Sequence, residues 1–117
     1  MIVALFRRRL KPGKTFADFK VAWEAEQGFG VPARVITAVN LEDPQEVLTV
    51  GFVDLTPEQL AAGAEAVAEQ EAKRHSKIDD VIESTELRAF YEVEGEHDFS
   101  AEPREIAVGS DESILRL

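Results

Sequence analysis

The run at residues 46–55, EVLTVGFVDL, constrains the fold more than any other part of the chain, because both of its faces are apolar. Side chains of a strand alternate between two sides, so Val47, Thr49, Gly51, Val53 and Leu55 share one face and Leu48, Val50, Phe52 and Asp54 the other. An antiparallel sheet with one wet face alternates cleanly between apolar and polar residues, and this run does not. Residues 2–9 repeat the pattern, with Ile2, Ala4 and Phe6 opposed to Val3 and Leu5. In residues 87–94, Leu87, Ala89, Tyr91 and Val93 oppose Arg88, Phe90 and Glu92. A sheet built from such strands needs cover on two sides.

Local signals order the remaining elements. The first strand ends at Lys11-Pro12-Gly13-Lys14, a turn sequence, after which Thr15 and Asp18 form an acidic capping box. Phe16, Phe19 and Trp23 then mark one stripe of a helix that is expected to stop near Gly28-Phe29-Gly30 and Pro32. Residues 33–41 and 46–55 form a hairpin across Glu42-Asp43-Pro44-Gln45. Thr56-Pro57-Glu58-Gln59 is the clearest helix start, with an N-cap hydroxyl, proline at the first helical position and glutamine at the third. That helix runs to about His75, with a further turn expected over residues 78–82, and a fourth strand follows. Strand, helix, strand, strand, helix, strand is the split βαβ order, so the expected fold is α+β and ferredoxin-like. It has a four-stranded antiparallel sheet with both helices on one face. Residues 1–95 make the domain, and residues 96–117 an acidic tail that reaches to a neighbouring subunit or is poorly ordered.

Two helices cover one face only. Four or five medium apolar side chains left in water on the other would each forfeit roughly 1.5–3 kcal/mol, a sum comparable to the stability of a small domain. A second copy of the same sheet is the simplest cover, so a homodimer through the sheet face is expected.

Charge and composition narrow the classes. The net charge of −10 disfavours a nucleic-acid partner, although residues 1–20 hold six basic side chains and one acid. No cysteine is present, which removes disulfides, thiolate metal sites and cysteine nucleophiles. No apolar run approaches the roughly 20 residues of a membrane span, and the N-terminus reads as a strand rather than a secretory signal, so a cytoplasmic location is expected.

The opening strand leading into LKPGKTFADF, the hairpin EDPQEVLTVGF, the helix start LTPEQLAA and the late helical histidine in AKRHSK together resemble the dimeric α/β-barrel superfamily. That group includes antibiotic-biosynthesis monooxygenases, haem-degrading monooxygenases, muconolactone isomerases and stress-responsive barrel proteins. The resemblance covers about residues 1–95 and implies two ferredoxin-like subunits joined into one barrel. It also implies a cleft between helices and sheet for a small, flat, mainly apolar molecule. Its haem-degrading branch pairs a late helical histidine with an asparagine on the first strand and a tryptophan near the end of the third. Here Arg7 and Phe52-Val53-Asp54 stand in those places, so haem is disfavoured and no cofactor is expected. The monooxygenases acting on polyketide quinones use neither metal nor flavin.

His75 is the candidate catalytic residue, as a general base or an axial ligand; its alternative is a helix-end cation near the C-terminal dipole. Phe6, Arg7, Trp23, Phe52 and Tyr91 are the candidate ligand-binding residues, each with an ordinary packing or surface role as the alternative. Arg7, Arg8, Arg9 and Arg88 are expected to cluster, with Glu83 and Glu86 or an anionic ligand as counter-charge. No metal site is expected: His97, Asp98 and Glu96 are adjacent rather than convergent. An enzyme and a non-catalytic dimeric stress-response or ligand-binding module remain the two functional readings.

Overall fold

The structure, a computed structural model, describes residues 1–24, 31–63 and 68–117, with the side chains of residues 68–71, 73 and 74 outside that description. Its elements are β1 (Ile2–Leu10), α1 (Phe16–Trp23), β2 (Ala33–Val39), β3 (Glu46–Val53), α2 (Pro57–Gly63), α3 (Ala68–Asp79), β4 (Ile82–Glu92), β5 (Glu96–Asp98) and β6 (Arg104–Ile106). The first four strands of this set form one antiparallel sheet in the order β2-β3-β1-β4, the ferredoxin-like arrangement.

Both expected helix starts are realised. The Thr15 N–H donates to Asp18 Oδ2 at 2.8 Å and the Asp18 N–H donates to Thr15 Oγ1 at 3.4 Å, which closes the capping box of α1. The Thr56 N–H donates to Gln59 Oε1 at 2.9 Å while the Gln59 N–H donates to Thr56 Oγ1 at 3.1 Å, the same device on α2. Between β1 and α1 the Lys14 N–H reaches the Lys11 carbonyl at 3.0 Å, and Gly13 sits at φ 83°, a conformation glycine adopts without strain. The β2–β3 connection is held by the Glu42 N–H on Asn40 Oδ1 at 2.8 Å and the Gln45 N–H on Asp43 Oδ1 at 3.1 Å.

The register sorts the sheet into two faces. Phe6 pairs with Thr49 on β3 and Arg88 on β4, and Arg8 with Val47 and Thr85. One face therefore carries Ile2, Ala4, Phe6, Arg8 and Leu10. Against its Leu10 end pack Phe19 of α1 and Ile78 of α3, and these three join Val47 and Ile82 in the buried core, flanked by Phe16, Trp23 and Val81. The opposite face carries Val3, Leu5 and Arg7 beside Leu48, Val50 and Phe52, with Ile36 on β2 and Tyr91 on β4.

The β1–β4 ladder is not regular: the register shifts between Arg7 and Arg8 and again between Arg9 and Leu10. Leu87 pairs with Arg7 and Thr85 with Arg8, which leaves Glu86 as an extra residue of β4. Glu86 accordingly reaches the open face, where it bridges Arg7 at 3.4 Å and Arg9 at 3.2 Å; Glu46 meets Arg7 at 3.4 Å and Asp43 meets Arg9 at 2.8 Å.

Two expectations change, and a third falls on residues outside the description. The further helical turn over residues 78–82 is instead the end of α3, a turn closed by the Val81 N–H on the Ile78 carbonyl at 3.0 Å, and the first residue of β4. Ile78 and Ile82, four apart, mimic a helical pair because the chain reversal turns both into one core. Residues 96–117 do not trail: β5 and β6 pair as a small hairpin, with Ile106 and Leu115 buried. Arg104 joins its strands, meeting Asp98 at 3.3 Å and Glu112 at 2.7 Å, and Glu96 accepts from the Ser113 hydroxyl and, at 3.0 Å, the Ile114 N–H. The first helix is described to Trp23, so the expected stop at Gly28-Phe29-Gly30 lies outside the described residues.

Acid should loosen this scaffold at two carboxylates, Asp18 and Asp43. The Thr15 backbone N–H, then its hydroxyl, holds the Asp18 carboxyl below its ordinary 3.8, and Arg9 followed by the Gln45 N–H does the same for Asp43. A carboxyl whose value is depressed in the folded state binds fewer protons than in the unfolded chain. Its contribution is present above pH 3.8 and is lost as pH falls through the folded value. Side-chain titration by NMR should place both midpoints below 3.8, and Asp18→Asn should remove part of the acid sensitivity of unfolding. Midpoints at or above that value would contradict the capping and ion-pair geometry.

Candidate functional site

A cavity of about 310 Å³ lies between α3 and the β1–β4 half of the sheet. The last turns of α3 supply His75, Ile78 and Asp79, successive positions of one helical face. From β1 come Phe6 and Arg8, which share a face because they are two residues apart, and from β4 come Ile82, Thr85 and Arg88. The pairs Phe6–Arg88 and Arg8–Thr85 are cross-strand neighbours, so the ladder itself fixes the floor.

Arg8 is the unexpected member. At 4% exposure it is a charged side chain inside the sheet–helix layer, where desolvation disfavours a charge without compensation. Part of that compensation is aromatic: the Arg8 Cζ lies 4.6 Å from the centroid of Phe6 and 6.0 Å from that of Phe19. Arg88, solvent-exposed, approaches the same Phe6 ring at 5.9 Å and Phe90 at 5.1 Å, and makes no ion pair among the described residues. Phe6 and Phe90 meet edge to face, with centroids 6.0 Å apart and planes at 87°. Two guanidiniums therefore flank one ring at the cavity floor.

The sequence candidates divide around this cavity. His75 and Phe6 line it together. Trp23 packs against the edge of the buried core. Arg7, Phe52 and Tyr91 lie on the other face of the sheet, Arg7 within the ion network and Tyr91 half exposed at 51%. Adjacent strand residues cannot share a cavity with one another, so alternation separates Arg7 from Phe6 and brings Arg8 in. The same rule, applied from Phe6 across to the fourth strand, marks Arg88. The helical spacing from His75 marks Asp79, a carboxylate one turn further along α3. Of the expected counter-charges, Glu86 serves Arg7 and Arg9, joined by Glu46 and Asp43 rather than Glu83. His97 stacks on Phe99 at 6.1 Å in the C-terminal hairpin region, apart from the cavity lining.

Chemically, the site offers one imidazole able to take or give a proton, two cations, one carboxylate and apolar walls from Phe6, Ile78 and Ile82. The recess is compact and half open to solvent, at the lower end of the ~300–1,000 Å³ typical of ligand sites.

Strand order, helix placement and sheet pairing define a ferredoxin-like α+β protein. Among solved structures, a protein from Chloroflexus aurantiacus J-10-fl, provisionally named an antibiotic biosynthesis monooxygenase, shares this fold. The TM-score is 0.61 over 83% of this chain and 96% of that one, at 16% sequence identity. The likeness supports the ferredoxin-like fold expected from the sequence. No protein-family model matches the chain, and no curated protein matches it. No described helix is long and apolar enough to cross a membrane.

Because Ile78, at 1% exposure, serves both the core and the cavity wall, Ile78→Ala should lower unfolding stability by roughly 2–5 kcal/mol in denaturant titration. Arg88→Gln, at an exposed position, should stay within about 0.5 kcal/mol of the parent protein. Equal effects would mean that the cavity floor and the core are not separable in this way.

Proposed function

We propose that the chain is a monooxygenase-like enzyme that acts, without haem or flavin, on a small flat molecule held between α3 and the sheet. The carrying observation is the position of His75 on the cavity, opposite a floor of Phe6 and the two guanidiniums. In this reading His75 accepts a proton from an acidic O–H or C–H of the substrate, and the resulting anion delivers electrons to dioxygen. One oxygen atom enters the substrate and the other leaves as water with two substrate hydrogens, so no external reductant is required. Asp79 on the same helical face would favour the imidazolium that forms. The resemblance supports a cofactor-free route, since Arg7 and Phe52-Val53-Asp54 stand where the haem-degrading branch carries asparagine and tryptophan.

The test is oxygen uptake with a panel of two-ring phenols such as 1-naphthol, whose conversion to 1,4-naphthoquinone consumes one dioxygen and releases one water. His75→Ala should lower the rate by roughly a hundredfold or more, as expected for loss of a positioned base. An unchanged rate in that variant removes the catalytic role. The small cavity volume favours a second reading, a non-catalytic dimeric stress-response or ligand-binding module, which gains if the folded protein consumes no oxygen with any member.

The same reading takes the open sheet face as a homodimer surface. Ile36, Tyr91 and Leu48 stand 58%, 51% and 36% exposed there, beside the half-buried Val50 and Phe52, a contiguous apolar face of the kind that marks an interaction surface. Sedimentation at micromolar concentration should give a dimer, and Ile36→Glu should convert it to monomer with helix content unchanged. A well-folded monomer of the parent chain would defeat the proposal.

A further inference from the structure

We infer that residues 96–117 form an arm that docks on a second copy of the chain, at the β2 edge of that copy's open sheet face, around Arg34 and Ile36. The inference rests on the reading above that this face receives a second copy, and it adds which segment reaches across and where it lands.

The arm is built from its own polar bonds. Among the described residues, each hydrogen bond and ion pair made by residues 96–117 stays within that segment, from the β5–β6 ladder to Arg104 and Glu96. Its buried Ile106 and Leu115 stand outside the core around Phe19. A two-stranded hairpin alone is marginal in water, so such a segment needs contact with something larger. Its own open face is not covered by it, since Ile36, Leu48 and Tyr91 remain exposed there, and on the arm Phe99 and Ile114 are 72% and 79% exposed.

The molecule as a whole is more open than its size requires. It leaves 8033 Å² accessible, against about 6,300 Å² for a folded monomer of this mass. Its radius of gyration is 15.8 Å, against about 13.4 Å for a compact chain of this length. The excess area, about 1,700 Å², is roughly twice what one partner commits to a standard interface.

Register and charge give the landing place. Tyr91, Val3, Phe52 and Arg34 form one row of the open face, with Tyr91 on the β4 edge and Arg34 on the β2 edge. A two-fold axis between facing sheets, parallel to their strands, lays the β4 edge of one copy over the β2 edge of the other at the same row. The arm that follows Tyr91 in one copy therefore arrives at Arg34 of the other. The Val93 N–H still meets the Met1 carbonyl at 2.9 Å, so the chain leaves the sheet only beyond that residue, and at Gly95 an added Cβ would touch nothing within 4 Å among the described residues. Residues 93–95 span about 10 Å when extended, the distance that separates packed sheets. Residues 92–112 hold eight acids and one arginine, whereas Arg34 is exposed and makes no ion pair among the described residues. Beside it, Ile36 offers apolar surface to Phe99 or Ile114.

The experiment uses the full chain. In sedimentation, Phe99→Ser or Ile114→Ser should weaken the dimer about tenfold with helix content unchanged. For the landing place, Arg34→Lys is mixed as ¹⁴N and ¹⁵N copies and treated with a zero-length carbodiimide. Peptide mapping should find position 34 joined to an arm carboxylate in pairs that mix the two isotopes. Parent-like dimer constants in both serine variants overturn the arm contact and leave the sheet-face dimer standing. Position 34 joined to the arm within one copy, or not joined to it at all, overturns the landing place. A monomeric parent chain overturns the sheet-face reading and this inference with it.

Discussion

β1 lies between β3 and β4, so both of its edges are hydrogen-bonded and each of its side chains must find a place on one of two crowded faces. The tripeptide Arg7-Arg8-Arg9 shows how strictly this operates. Alternation sends Arg7 and Arg9 to the open face, where Glu46, Glu86 and Asp43 balance them, and sends Arg8 beneath the helices against Phe6. Three identical residues thus enter two unlike environments. One pair belongs to a surface ion network whose individual bridges contribute little, while the third sits where a charge is retained only if its surroundings compensate it.

Much of the architecture was readable because it rests on local chemistry. The capping boxes at Thr15 and Thr56, the Pro12-Gly13 turn and the hairpin at residues 40–45 each follow from a few neighbouring residues, and each appears where those residues stand. The two-sided strands followed from period-two alternation. What was harder to read depended on long-range choices. The spacing of Ile78 and Ile82 suits a helix as well as a reversal, and the core around Phe19 and Leu10 decides between them. The C-terminal hairpin was masked by its acidic composition, since its order comes from Arg104 bridging two carboxylates and from Glu96 binding Ser113. For the site, His75 and Phe6 were legible, whereas Arg8 and Arg88 required the strand register to be carried across β4.

The fold shared with the Chloroflexus aurantiacus protein fixes where a cavity can lie, between helices and sheet, without fixing what enters it. That second question belongs to the side chains lining it. Here they combine an imidazole, apolar walls, two guanidiniums and a carboxylate. Selectivity and chemistry would then reside on different elements. The guanidiniums are set by the rigid β1–β4 pairing, and the imidazole by the last turns of α3.

The extra residue in β4 bears on that division. Had the ladder continued without interruption below Leu87, Glu86 would stand directly across from Arg8 and turn its carboxylate inward, neutralising the guanidinium at close range. The slip instead hands that position to the uncharged Thr85 and expels the acid to the far side of the sheet. A single misaligned residue therefore decides which side of the sheet the Glu86 carboxylate serves, and so which of three consecutive arginines it can reach.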